Sequence, residues 1–184
     1  MAESFLRSRG GKVRRNGVIE EVPLAHSRRR VDFTGGSAMT VAIAWGDLAT
    51  AYVSTGIPNI ETYASMPFAA AIAGRALNWA RPVLASAPVQ KVLRRLADRS
   101  TGPSEEELRA GRSRFWGEVS NAAGKHRTAR LETADGYRLT ADGTIMAVKF
   151  LLDHAPAGGY YTPSMLFGAG CVEELPGSTP IGVD

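Results

Sequence analysis

Met39–Trp45 (MTVAIAW) is almost continuously apolar, the pattern of a strand buried on both faces. Asp47 stands where a helix N-cap would stand, just before LATAYVS, and Gly56 follows as a stop. Ile57-Pro58 then holds the chain extended. From Ile60 to Met66, Ile60, Thr62, Ala64 and Met66 alternate with Glu61, Tyr63 and Ser65, as in a strand with two unlike faces. Upstream, Val13–Val18 reads as a short strand with Asn16-Gly17 as a turn signal. Arg28–Phe33 alternates weakly, and Gly35-Gly36 marks a turn.

The middle of the chain turns helical. Pro67 to Ala80 is alanine-rich, with Phe68, Ile72, Arg75 and Trp79 near helical spacing. Pro82 can open another helix and Pro88 can restart it. Val89, Val92, Leu93, Leu96 and Ala97 form an apolar stripe. RSTGPS is a loop, and Ser104 with Glu107 three residues later is a capping-box pattern that predicts a short helix over Glu105–Ala110. The last third returns to strands. Arg114–Ser120 and Arg127–Thr133 flank NAAGKH as a hairpin, and Asp135-Gly136 is a further turn. Leu139–His154 is a helix with Ile145, Val148, Leu151 and Leu152 as its stripe, ended by Pro156 and Gly158-Gly159. Tyr160–Phe167 reads as extended, with Pro163 suggesting an edge strand. Cys171–Leu175 reads as a short helical turn. This segregated order predicts an α+β fold rather than a doubly wound one. The expected architecture is a mixed, mostly antiparallel sheet with helices packed on one face, all within one domain of residues 1–184.

Composition narrows the class. At 184 residues, 44% apolar and 22% charged, the chain can bury a core without staples. Cys171 is its single cysteine, so no internal disulfide or cysteine-based zinc site is possible. The N-terminal residues lack an apolar run of signal-peptide length, and the uncharged stretch between Asp32 and Asp47 is only 14 residues long. The expectation is a soluble, cytoplasmic protein with no membrane span. Residues 1–30 carry a net charge of +5 and the remainder −1. The excess sits in RSRGGKVRR and in Arg28-Arg29-Arg30. No aromatic residues are interleaved to stack bases, so these clusters predict a solvated strand edge and no nucleic-acid partner.

The usual catalytic patterns are missing. GAGCVE, Gly168 to Glu173, lacks the third glycine of a dinucleotide fingerprint, and there is no Walker A sequence. His26, His126 and His154 lie far apart and have no metal-ligand spacing. Ser54-Thr55-Gly56 is not a nucleophile elbow. Cys171 precedes two glutamates, which disfavour a thiolate, so inert packing is expected. What remains is the end of the apolar strand. Trp45, Asp47, Ser54, Thr55 and Asn59, with Tyr63 nearby, are the candidate substrate-binding residues. The plainer reading of the same residues is that Asp47 caps a helix and Trp45 fills core. No catalytic, cofactor-binding or metal-binding residue is assigned.

The stretch AIAWGDLATAYVSTGIPNIETY, from Ala42 to Tyr63, resembles the second half of saccharopine dehydrogenase-like oxidoreductases. It is closer still to the branch of trans-acting enoyl reductases and "short-subunit dehydrogenase-like" proteins. The likeness continues through GPSEEE, GRS and WGEV within Gly102–Val119, ARLETADGY at Ala129–Tyr137, and TPS, FG and ELPG within Thr162–Gly177. It covers the chain from about Gly11 to Gly177. The resemblance implies a hydride-transfer family and NAD(P) for its full-length members. It implies an α+β part that closes over the substrate and forms a subunit interface, with a homodimer or a separate Rossmann half as partner. A lipid-like or polyketide-like substrate is implied by the enoyl-reductase relatives. The glycine-rich Rossmann half of the family does not occur in these residues. This chain is therefore expected to hold no cofactor and not to be catalytic alone. The alternative is a non-catalytic interaction module that retains the fold.

Overall fold

An Asn-Gly pair between two short strands sets the first turn. Asn16 and Gly17 both take positive φ, 49° and 81°, the conformation a two-residue hairpin needs to match strand twist. The turn joins β1 (Gly11–Arg15) to β2 (Val18–Val22), antiparallel, with Arg15 opposite Val18. The computed structural model describes residues 11–66, 86, 88–89, 91, 95 and 102–184. The helices expected between Pro67 and Ala97 lie outside the described residues, except Pro88, Val89, Lys91 and Arg95, which are helical. The chain divides into two compact units, one of Met1–Val31 with Ala38–Gly102 and one of Asp32–Ser37 with Pro103–Asp184.

The strands β3 (Arg28–Phe33), β4 (Gly36–Ile43) and β5 (Thr62–Ser65) form a sheet in that order. The central place of β4 explains its apolar run, since Thr40, Val41 and Ala42 are all buried. Val41 packs with Ala25 and Met66. The helix α1 (Asp47–Thr55) follows β4 and buries Leu48. Its N-cap is Gly46, with no side-chain cap, which corrects the expected role of Asp47. Asp47 sits one residue further in, where its charge still complements the helix N-terminus. Gly56 ends the helix as expected, in the left-handed conformation at φ 68° with its N–H on the Tyr52 carbonyl. The segment that follows α1, with a bend at Pro58, leaves backbone groups to satisfy, and the β1–β2 hairpin takes some of them. The Gly17 N–H donates to the Pro58 carbonyl at 2.8 Å, and Arg14 and Ile60 exchange backbone bonds of 2.9 and 3.0 Å.

In the second unit, α2 (Glu105–Ala110) carries both bonds of the capping box, Ser104 to the Glu107 backbone and Glu107 back to the Ser104 backbone. The long strands β6 (Arg112–Ser120) and β7 (His126–Ala134) pair antiparallel over nine residues, with Arg112 opposite Ala134 and Ser120 opposite His126. The Asn121 side chain closes their loop by accepting the N–H groups of Ala123 and Lys125. Strand β8 (Gly182–Val183) adds to the free edge of β7. The helix α3 (Gly136–His154) begins three residues before the expected Leu139. Asp135 is its N-cap, accepting from the Tyr137 N–H, rather than part of a free turn. The expected extended segment at Tyr160–Phe167 is instead helical from Pro163. Thr162 caps α4 (Pro163–Phe167), and Pro163 occupies the first helical position, which its fixed φ suits. A 3-10 helix, Ala169–Glu174, closes the series.

The class is α+β with antiparallel sheets. The described strands make three small sheets rather than one sheet with a helical face. The local signals are the same for either arrangement, because period-2 patterning identifies strands without saying which strands share a sheet. Among the described residues no helix is long and apolar enough to cross a membrane.

Candidate functional site

The five expected substrate-binding residues do not converge. Trp45 is half exposed rather than core-filling. The hydroxyls of Ser54 and Thr55 donate back to the Thr50 and Ala51 carbonyls of their own helix at 2.9 and 2.6 Å. Thr55 also accepts the Ile57 N–H. The Asn59 carboxamide oxygen accepts the Asn16 N–H at 2.9 Å and so pins the hairpin turn. Asp47 and Ser54 stand at opposite ends of α1, about 10 Å apart along its axis.

A polar cluster forms around Tyr63 instead. On β5, Tyr63 lies directly opposite Ala42 of β4, and the Ala42 N–H donates to the Ser27 carbonyl just before β3. The hydroxyl oxygens of Tyr63 and Ser27 are 3.1 Å apart. Tyr63 donates to Glu61 Oε2 at 2.5 Å, which leaves the Ser27 hydroxyl as the donor to Tyr63. The other carboxylate oxygen of Glu61 faces His26 Nε2 at 3.5 Å, an ion-pair distance when the ring is protonated. That nitrogen is buried and makes no hydrogen bond among the described residues. Hydrogen bonds thus join Ser27, Tyr63 and Glu61, and His26 stands beside the far oxygen of Glu61.

Burial raises the Tyr63 phenol above the ordinary tyrosine value, and the hydrogen bond to Glu61 raises it further. The Ser27 bond and the nearby Arg29 charge act the other way. The native state therefore holds the Tyr63 proton more tightly than the unfolded chain. The stability tied to this group is whole below the ordinary tyrosine value and is lost as pH rises through the raised one. Tyrosinate absorbance, read as wild type minus Tyr63→Phe, is expected to place the Tyr63 midpoint above that of free tyrosine. Glu61→Gln should bring it down. A midpoint at or below the ordinary value would break this description.

The second notable group is Arg14. The expectation of a solvated basic edge fails here, because Arg14 is buried, at 8% exposure. Its Nε donates to the Leu48 carbonyl at 2.6 Å and its Nη1 to the Gly17 carbonyl at 2.5 Å. Its guanidinium lies 4.2 Å over the Tyr52 ring. It ties the hairpin to α1. Arg15, the next residue, is exposed and pairs with Glu20 at 3.8 Å, as the edge reading expects.

Burial, and then the Glu174 charge, push the Cys171 thiol up, so it is a poor nucleophile. Among the described residues no three His, Cys, Asp or Glu side chains gather to hold a metal ion. Gly168–Glu173 caps α4 and enters a 3-10 helix. It does not join a strand to a long helix, so these residues do not fit a dinucleotide pyrophosphate. No family model, curated protein or solved structure matches the chain.

Sequence reasoning included Tyr63 but missed His26, Ser27, Glu61 and Arg14. The Glu61–Tyr63 relation was available from strand alternation, since residues two apart share a face. Nothing local joins His26-Ser27 to residues 35 positions away, because that juxtaposition is made by sheet pairing.

Proposed function

We propose that this chain is the substrate-binding and oligomerisation part of a saccharopine dehydrogenase-like oxidoreductase, and that Tyr63 hands a proton to the substrate. The observation that carries the reading is the Tyr63 hydroxyl held between Ser27 and Glu61, with His26 behind the carboxylate. Reduction of a carbonyl or polarised double bond needs a proton donor. Burial and the Glu61 hydrogen bond keep the Tyr63 phenol protonated across the neutral range, so the hydrogen is in place, on a weaker acid than free tyrosine. After the transfer, the Tyr63 phenolate takes its replacement proton from water at the partly exposed Glu61 carboxylate beside it. Ser27 positions the phenol oxygen throughout. The motif order from Gly11 to Gly177 supports the family reading, and a lipid-like substrate goes with it.

The dinucleotide is assigned to a Rossmann half outside these residues, since Gly168–Glu173 does not fit it. An NADPH fluorescence titration of the chain alone tests this. No saturation is expected up to about 1 mM. Saturable micromolar binding would overturn the division of labour.

A non-catalytic interaction module is the second reading. It is favoured by the apolar side chains that α3 leaves exposed, Ile145, Val148 and Leu152. Under that reading Tyr63 is expendable to any turnover.

A further inference from the structure

The long helix α3 has two apolar stripes. Gly143, Met146, Ala147 and Phe150 share a half-buried side. There Gly143 comes close to Leu175, and Phe150 meets Phe167 edge-on with ring centroids 4.9 Å apart. Ala141, Ile145, Val148 and Leu152 lie half a turn round the helix, at the 4-3-4 spacing of a heptad seam. Among the described residues this second stripe is uncovered. Ile145 is 53% exposed, Val148 51% and Leu152 80%, and no residue of α3 is fully buried. A helix that packs on its own unit with one side normally shows a polar face on the other.

The charges beside the seam select its occupant. One flank carries Asp142 in the N-terminal half and Lys149 in the C-terminal half, seven residues apart. The other flank carries Thr144 and Leu151. We propose that α3 is a homodimer interface, its outer stripe packed antiparallel against the same stripe of a second copy. In that register Ile145 faces Val148 of the second copy and Ala141 faces Leu152, matching small against large. The same register sets Asp142 beside Lys149 of the second copy, and two-fold symmetry repeats the pair. A parallel pair would gain no such bridge, because Thr144 and Leu151 carry no charge. The seam spans two heptads and buries roughly 1,000 Å² in all, the lower end for a specific contact. The dimer therefore dissociates in the micromolar range. This inference rests on the oligomerisation half of the reading proposed above, for which it names the face and the pairing charges, and not on the proton-transfer half.

Sedimentation equilibrium of the full chain over about 1 to 200 µM tests it. The wild type is expected to show a monomer–dimer equilibrium. Asp142→Lys and Lys149→Asp should each weaken it tenfold or more, because each sets like charges together twice. An equimolar mixture of the two variants should dimerise again, since every pair is then opposite in sign, and the double variant should recover self-association. Val148→Glu should be monomeric. A wild type that stays monomeric across the range would overturn the proposal. So would a dimer unmoved by the two reversals, or reversals that fail to rescue each other when mixed.

Discussion

Replacing Arg14 by alanine is expected to cost roughly 2–4 kcal/mol of stability, the largest loss from any single side chain described here. The guanidinium is buried, so little solvent screening weakens its bonds. Its two donors reach carbonyls on separate elements, Leu48 in α1 and Gly17 in the hairpin turn. Its face rests on Tyr52, a contact worth about 1 kcal/mol in itself. Alanine removes all three contacts and opens a cavity between hairpin and helix. Arg14→Lys should recover less than half of the loss, because an ammonium cannot span both carbonyls in the guanidinium plane or stack as a flat group. Urea denaturation followed by circular dichroism measures both variants. A midpoint within about 0.5 kcal/mol of wild type for the alanine variant would show that Arg14 does not hold the hairpin to α1.

Under the proposed oxidoreductase reading, Tyr63→Phe is expected to lower turnover about 10²- to 10⁴-fold while leaving the fold intact. The ring remains opposite Ala42 and only the hydroxyl between Ser27 and Glu61 is lost. Glu61 keeps its His26 neighbour and part of its exposure to water, so no isolated charge is buried. Under the oxidoreductase reading proposed above, the assay is substrate-dependent NADPH oxidation by the chain together with a supplied nucleotide-binding half. A loss confined to kcat, with an unchanged far-UV spectrum, fits a proton donor. Glu61→Gln should instead change the pH profile, because the Glu61 carboxylate accepts the phenol hydrogen bond. Full activity in Tyr63→Phe would remove Tyr63 from the chemistry and favour the interaction-module reading.

How much of this was legible before the structure depends on how far apart in the chain the cooperating residues lie. Ser104 and Glu107 are three residues apart, and their capping box is present with both bonds. Asn16-Gly17 encodes a turn by its own backbone preferences and makes one. Pro163 could have marked an edge strand or a helix start. Thr162 decided for the helix by supplying the cap. Arg14 looked like its neighbour Arg15, and only the arrival of α1 and Tyr52 over one face of β1 separates them. The Tyr63 cluster needs β5 to pair with β4, a choice set by long-range packing rather than by local period.

The two-stranded sheet of β1 and β2 has one edge satisfied and one open. Arg14 on β1 is bonded to Ile60, while the outer side of β2 has no strand beside it among the described residues. Val18 and Ile19 on that strand are exposed, and such an edge can template the growth of aggregates. Glu20 and Glu21 follow them directly. The two carboxylates repel another copy of the same strand, so the solubility of this edge is maintained by charge in place of a covering strand.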